Sequence, residues 1–444
     1  MRTTVVESLK ELFSNHTIQA LSTFAKERDV QLYFVGGSVR DLLLRRQTTD
    51  VDFALASDAI QFAKTFASRI EATCIALEEN PSTARVIVKQ HDIPQTPQLS
   101  MDFVQFRAAS LTEDLCLRDL TINAMAIAFE NAEAAANSAC EQNPLHVIDP
   151  CGGMNDLAAG LLQFPSEKVV REDPIRLLRI YRFAAQLDFK ISQNAIHLVK
   201  KHRSLLSNIA AERCRDELMK ILNVKGAHLY LQQMEAAELL TQVVPNINKS
   251  WSPLEIFEET PIPKALSPYY NEINGYLKAE LGMGVNRGSL IKLSLLLADD
   301  PGNIGKRLRL SQKATQFIGH LIVGGKQLKE ASPHLTQKQI IRFLRSYRSD
   351  WCGVLLYAAA SDSINAALLK EIANTYYEHI LPVCKQGRLI TGKDLIQIFQ
   401  LKEGKQIGDL LEQIEERQFD GEIRTREEAL AAVAALIQPS NRLL

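Results

Sequence analysis

The sequence lacks every cysteine pattern that would organise a metal centre or a disulfide framework. Its 7 cysteines are scattered over 444 residues, with no CxxC spacing and no Cys/His cluster. That argues against structural zinc and for free thiols in a reducing compartment, the cytoplasm. Long apolar runs are missing as well. The most apolar stretches, such as Ser289 to Ala298, are far too short to span a bilayer. The N-terminus reads as an amphipathic helix and not as a signal peptide. An excess of one charge is also absent. The formal net charge is -1, so any RNA-binding surface must be a local basic patch balanced by acids elsewhere. There is no internal repeat and no low-complexity tail.

What is present is an ordinary globular composition, 46% hydrophobic and 23% charged, over a length that calls for about two to four domains. Val5, Leu9, Leu12, Ile18, Leu21 and Phe24 fall at helical spacing. A short strand, Leu32 to Val35, runs into Gly36-Gly37. Ser38 to Arg46 then reads as a helix with Ser38 as its N-cap. Val51 to Leu55 reads as a strand, Ala59 to Ile70 as a helix, and Thr73 to Leu77, Ala84 to Val88 and Ser100 to Phe106 as further strands. The expected head is therefore a mixed sheet of about five strands. The Ala- and Asn-rich piece Asn131 to Asn143 reads as an exposed insertion before a strand at His146 to Ile148. After Pro150 helical periodicity dominates. Breaks are expected at Pro245 to Pro268, at Gly324-Gly325 and at Pro333. The fold class is α+β, a mixed-sheet head followed by a long all-helical body.

Two glycines between a strand and a helix, in Tyr33-Phe34-Val35-Gly36-Gly37-Ser38-Val39-Arg40-Asp41, let the backbone approach a ligand and aim helix N–H groups at it. That is a phosphate-binding arrangement, though such turns also occur for purely structural reasons. Arg40 adds a cation near the same phosphates. Asp50-Val51-Asp52 opens the next strand. Alternation places Asp50 and Asp52 on one face, roughly 7 Å apart, where they repel each other unless a cation intervenes. Mg²⁺ accepts such oxygen ligands where a triphosphate completes its shell. In isolation a solvated turn capped by Thr48, Thr49 and Asp50 would be the better explanation of the pair. Its position ten residues after the Gly-Gly-x-x-Arg turn favours the metal. A third carboxylate, Asp102, sits among apolar residues on a later strand. Either it joins Asp50 and Asp52 and helps activate an attacking hydroxyl, or it pairs with a basic neighbour such as Arg107.

Arginines form the second constellation. Arg118 precedes what reads as a short apolar helix. Asp173 is a candidate N-cap and Pro174 a candidate first residue for a helix on which Arg176, Arg179 and Arg182 recur every three residues. That stripe has no acidic partner within its own turns, so a nucleotide or an RNA backbone explains it better than a solvated face.

The segments GGSVRD (Gly36 to Asp41), DVDF (Asp50 to Phe53), RDLTINAMA (Arg118 to Ala126), IDPCGGMNDL (Ile148 to Leu157) and EDPIRLLRIYRF (Glu172 to Phe183) together closely resemble the bacterial tRNA nucleotidyltransferase and poly(A) polymerase family, within the polymerase β-like nucleotidyltransferases. The resemblance continues more weakly through Glu212-Arg213 and into Leu389 to Val433, which looks like the family's tRNA-binding tail. It implies a catalytic head over 1–149, a nucleotide-selecting helical neck over 150–223, a helical body over 224–330 and a tRNA-binding tail over 331–444. It implies that Asp50 and Asp52 ligate Mg²⁺; Asp102 stays a candidate catalytic carboxylate on the reading of its own strand. Gly37, Arg40 and Arg118 would contact the incoming nucleotide. Asp173 and Arg176 would read the Watson–Crick edge of CTP or ATP, supported by Arg179 and Arg182. The reaction would be a two-metal, in-line attack of a tRNA 3′-hydroxyl on the α-phosphate, with tRNA, CTP and ATP as partners.

Three departures qualify that picture. Leu117 replaces an arginine of the family's Arg-Arg-Asp-Phe. Leu295 to Asp300 carries no His-Asp pair, so a second, phosphohydrolase activity is not expected. Only Ala108 to Thr112 separate Arg107 from Glu113, where enzymes that finish the terminal A have a longer loop. The short link leans toward addition of two C residues. A poly(A) polymerase would share every catalytic residue. A non-catalytic RNA-binding protein with a relict pocket is the alternative from another class. Lys200, Lys201 and Arg203, and Arg342, Arg345 and Arg348, are candidate RNA contacts, although a solvated helix face explains each cluster as well.

Overall fold

The computed structural model describes residues 5–46, 50–88, 99–138, 145–248, 250–298, 301–331 and 334–437. Six strands form one sheet: β1 (Tyr33–Val35), β2 (Asp50–Leu55), β3 (Thr73–Glu79), β4 (Ser82–Ile87), β5 (Ser100–Gln105) and β6 (Ala126–Ala128), in the order β3-β4-β5-β2-β1-β6. Every neighbouring pair is antiparallel except β2 and β5, which run parallel with Asp50 opposite Ser100 and Asp52 opposite Asp102. Strand alternation then divides the faces. Val51, Phe53, Met101 and Phe103 point into the core and are at most 1% exposed, while Asp50, Asp52 and Asp102 share the other face. The core behind them is aromatic. Phe53 stacks on Phe103 at 5.2 Å, and Phe34, Phe62 and Phe129 close around the pair.

The sheet has one more strand than the sequence suggests. The stretch after Arg118 is a single 3₁₀ turn, Thr121–Asn123, and then β6, not a helix. Three residues of Ala-Ile-Ala are too short to show a period of two, and β6 is fixed by its pairing with β1. The expected strand at His146 to Ile148 reduces to one bridge, in which Ile148 and Ala126 exchange backbone hydrogen bonds of 2.8 and 2.9 Å. The supposed exposed insertion begins as a packed helix, Phe129–Asn137, with Ala132, Ala135 and Ala136 buried against the N-terminal helix Val5–Ser14. Alanines there permit close helix approach. Residues 139–144 of that piece, and Thr48, Thr49, Asp299, Asp300 and Pro333, lie outside the described residues.

Residues up to 224 together with 229–243 make one unit, and 225–228 with 244 onward make a second. In the first, the sheet is followed by α-helices Gly153–Ala159, Glu167–Glu172, Arg176–Leu187, Gln193–His202 and Ala211–Leu222, with a two-residue parallel ladder of Leu161–Leu162 on Lys190–Ile191. The second unit is helical. The expected break at Pro245 to Pro268 holds in part: residues 245–248 and 260–263 are non-helical, while helix Ser252–Glu259 between them buries Leu254, Phe257 and Glu258. The second expected break is continuous structure. Gly324 and Gly325 lie in the middle of the 20-residue helix Gln312–Ala331. A Cβ on Gly324 would meet Val354 Cγ1 at 2.5 Å, and one on Gly325 would meet Tyr357 at 2.8 Å. These glycines exist for close helix packing. Near the C-terminus Ile390, Leu395, Leu410, Ile414, Ile423, Ala429 and Val433 build a small core of their own.

Candidate active site

The turn from β1 into helix Gly37–Leu43 builds one wall of the site. Gly36 holds φ at 67°, a conformation that side chains other than glycine's adopt at a cost. A Cβ there would also crowd Arg118 Nη1 at 3.0 Å and Asp52 Oδ2 at 3.7 Å. Ser38 is not the N-cap. It sits inside the helix, buried, and its hydroxyl accepts the Asp52 N–H at 2.7 Å. The serine therefore clamps the glycine turn to the strand that carries the aspartates. Arg40 is also buried. It donates to both oxygens of Asp41 and, at 2.7 Å, to Asn123 Oδ1.

The parallel register of β2 and β5 brings Asp102 beside Asp52. Burial raises the Asp52 carboxyl to about 6, with the charges of Asp102 and Asp50 adding to the effect and Arg118 and Arg40 opposing it. Asp102 is held by both nitrogens of a fork, Arg85 Nε and Nη2, at 2.7 Å each. The basic neighbour is thus Arg85 on β4, one strand over, and not Arg107. Among the described residues no group of three or more His, Cys, Asp or Glu is placed to hold a metal unaided. Asp50 and Asp52 fit a divalent cation whose shell a triphosphate completes: two carboxylates on one face, one of them strained toward its neutral form by like charge.

The arginines and Asp52 line one cavity of about 510 Å³. Its lining includes Gly36, Gly37, Arg40 and Asp52 on one side and Arg118, Asp173, Arg176, Arg179 and Arg182 on the other. The stripe does have acidic partners, supplied by other elements. Arg179 donates to Asp119 at 2.5 and 2.8 Å, and Arg182 Nε lies 3.1 Å from Glu217 Oε2 without the alignment of a hydrogen bond. Burial alone would raise the Asp119 carboxyl, but Arg179 and Asn123 hold it well below the ordinary range. Arg118 pairs with the fully buried Asp114 at 3.1 Å. Arg176 donates to the carbonyls of Val169, at 3.1 Å, and Arg118, at 3.5 Å, with no carboxylate in hydrogen-bond range among the described residues.

Asp173 is not an N-cap. The helix begins at Arg176 with Ile175 before it, and Asp173 closes the preceding helix. Its carboxylate is taken by the guanidinium of Arg213, which donates to both oxygens at 3.0 and 2.8 Å. Each oxygen keeps a lone pair for another donor. Arg107, Asp119, Asn123, Phe183 and Gln186 also line the cavity. Of these, Arg107 was considered from the sequence only as a partner for Asp102, and Asp119, Asn123 and Gln186 had no local signal as cavity residues. Phe183, one residue after Arg182 and 4.2 Å under its guanidinium, had one.

The candidate RNA contacts are partly spoken for. Lys201 pairs with Glu167 at 2.8 Å, Arg203 with Glu238 at 2.7 Å and Arg345 with Glu416 at 3.0 Å. Arg348 lines a second cavity of about 920 Å³ in the helical unit, together with Arg287, Lys313 and His320.

Residues 32–163 match the family described as Poly A polymerase head domain, 188–250 a probable RNA- and SrmB-binding site of polymerase A, and 291–434 a tRNA nucleotidyltransferase domain 2. A CC-adding tRNA nucleotidyltransferase of Geobacter sulfurreducens is 29% identical over 92% of this chain and 93% of its own. A CC-adding tRNA nucleotidyltransferase of Synechocystis is 29% identical over 90% and 92%, and a CCA-adding enzyme of Ligilactobacillus salivarius 26% identical over 96% and 97%. Among solved structures, an apo CCA-adding enzyme superposes with a TM-score of 0.67 over 94% of this chain and 93% of that one, at 24% identity. The Thermotoga maritima CCA-adding enzyme complexed with tRNA gives 0.63 over 95% and 94%, at 23% identity, and both establish the fold. Glycine turn, paired aspartates and Arg118 thus lie within the stretch matched by the head-domain family, Asp173, Arg176, Arg179 and Arg182 lie between two matched stretches, and the three stretches, which together span most of the chain, place it in the tRNA nucleotidyltransferase and poly(A) polymerase family that includes the CCA-adding enzymes.

Proposed function

We propose that this chain extends the 3′ end of tRNA with C residues, taking CTP, and ATP where a terminal A is added, without a nucleic-acid template. The observation that carries the reading is a cavity lined by Asp52 of β2, the glycine turn and Arg40, together with Arg118, Asp173, Arg176, Arg179 and Arg182. Asp50 and Asp52 would hold Mg²⁺, which when bound neutralises the triphosphate and favours in-line attack of the RNA 3′-hydroxyl on the α-phosphate. Asp102, steadied by Arg85, is the third carboxylate of the acid face. The backbone of Gly36-Gly37 and the side chains of Arg40 and Arg118 receive the phosphates. Asp173 accepts from the exocyclic amine that cytosine and adenine share, and Arg176 donates to a ring acceptor. Arg179 and Arg182, anchored on Asp119 and Glu217, support that pair.

Two features favour stopping after CC. The link from β5 to helix Leu111–Cys116 is short and ends in a Ser110 cap, whose hydroxyl accepts the Glu113 N–H. Two of the relatives are named CC-adding. The test is a gel assay on tRNA lacking its 3′ end. Two added residues with CTP alone, unchanged by ATP, are expected. Long A tails on unstructured RNA would replace this reading with poly(A) synthesis. Nucleotide binding without any extension would indicate a relict pocket.

A further inference from the structure

We infer that Cys116 and Cys151 form a dithiol site that closes reversibly to a disulfide beside the nucleotide cavity. Their Sγ atoms stand 3.2 Å apart, with the Cys151 thiol donating to Cys116. Both are free and half-buried. Cys116 ends helix Leu111–Cys116, two residues before Arg118. Cys151 lies in the turn before helix Gly153–Ala159.

A disulfide needs the two sulfurs at about 2.05 Å, so side-chain rotation over roughly 1 Å would close the bond. The two segments also approach each other further along the chain, where a Cβ on Gly153 would fall 2.2 Å from the Thr121 carbonyl oxygen. Cys116, which accepts the S–H, is the attacking sulfur. Burial and the Cys116 neighbour push the Cys151 thiol up to about 12, which keeps it protonated until its partner is oxidised.

The oxidant is a small disulfide such as oxidised glutathione. The Cys116 thiolate attacks one glutathione sulfur, the S–S bond breaks, and glutathione thiolate leaves and takes a proton. Cys151 then loses its proton and attacks Cys116 Sγ in the mixed disulfide, releasing the second glutathione. Two protein thiols are oxidised, and one glutathione disulfide is reduced to two thiols. In a reducing compartment the open dithiol is the resting form and the bond a transient state. Closed, it staples the Arg118 segment to the Asp149–Gly153 turn. The site stands independently of the reaction proposed above.

The test equilibrates the full chain in glutathione buffers of graded ratio, traps thiols by alkylation and maps peptides by mass. Expected is a Cys116–Cys151 peptide pair lighter by two hydrogens and reopened by dithiothreitol. The thermal midpoint of the oxidised chain should be higher by roughly 5 °C, because the link closes a long loop. Cys116→Ser and Cys151→Ser should each remove both effects. Alkylation of both cysteines throughout, a bond from either to another cysteine, or a linked chain with a lower midpoint would overturn the inference. The map on the unsubstituted chain decides even if a variant folds poorly.

Discussion

Single residues in the site do two jobs, holding chemistry and holding each other. Asp52 lies half-buried beside Asp102 and Asp50, so its charge is costly to the fold and useful only with a cation present. Asp52→Asn is expected to lower single-turnover extension by on the order of 10³-fold or more, while its thermal midpoint without magnesium stays equal to or above that of the parent. A lowered midpoint would contradict this account of the site. Arg213 acts through Asp173. Its guanidinium is half exposed, at 51% of the side chain, so Arg213→Ala should leave the fold intact and let the carboxylate turn. Discrimination of CTP over UTP in competition assays should fall about tenfold. The paired aspartates and the arginines of Arg176 to Arg182 were legible in the sequence because strand and helix periods place them. Arg85, Asp119 and Glu217 were not, because each reaches its partner from a distant element and leaves no local pattern. Cys116 and Cys151 went unread for the same reason.

Elements are fixed here by close approaches that composition disguises. Gly153 opens a helix pressed on the 3₁₀ turn Thr121–Asn123. With backbone at 2.2 Å from the added carbon, Gly153→Ala cannot be absorbed by a rotamer change. A loss of about 2 kcal/mol or more in urea unfolding is expected, and an unchanged midpoint would contradict the packing described. Gly324-Gly325 teaches the converse lesson. Two adjacent glycines read as a break, but the structure spends them on contact with Tyr347, Val354 and Tyr357 inside one helix. Glu258 shows an element held by charge. Its carboxylate accepts the N–H groups of Ala227 and His228 at 2.9 and 3.1 Å and Lys292 Nζ at 2.6 Å, and meets the His228 ring. Burial raises its carboxyl, but Lys292 and His228 outweigh that and hold it below its ordinary value. A depressed acid stabilises above its unfolded pKa of about 4.3 and loses that contribution as pH falls through the folded value. Trp251 and Trp351, the two tryptophans of the chain, both lie in this unit and report on it. Their fluorescence should show a midpoint that drops below about pH 4.3. Glu258→Gln should cost about 3 kcal/mol at neutral pH and flatten that acid limb.

Across the whole chain, the nucleotide cavity is built entirely within the first unit, and the C-terminal core from Ile390 to Val433 packs on its own apolar residues. Removing residues 388–444 should therefore leave CTP binding unchanged by calorimetry while weakening tRNA binding at least about tenfold, with a shallower salt dependence. Equal loss of both would refute a tail role confined to RNA. The parallel pairing of β2 with β5 has a consequence for how such a chain can change length. Six successive ladder pairs, from Asp50 with Ser100 to Leu55 with Gln105, set the alignment of the carboxylates without help from the connection between the strands. A one-residue slip would turn Asp102 to the opposite face. Residues gained or lost between Leu55 and Ser100, but outside β3 and β4, leave that alignment untouched. Growth and shrinkage there are invisible to the chemistry, whereas a single inserted residue within β2 or β5 would silence it.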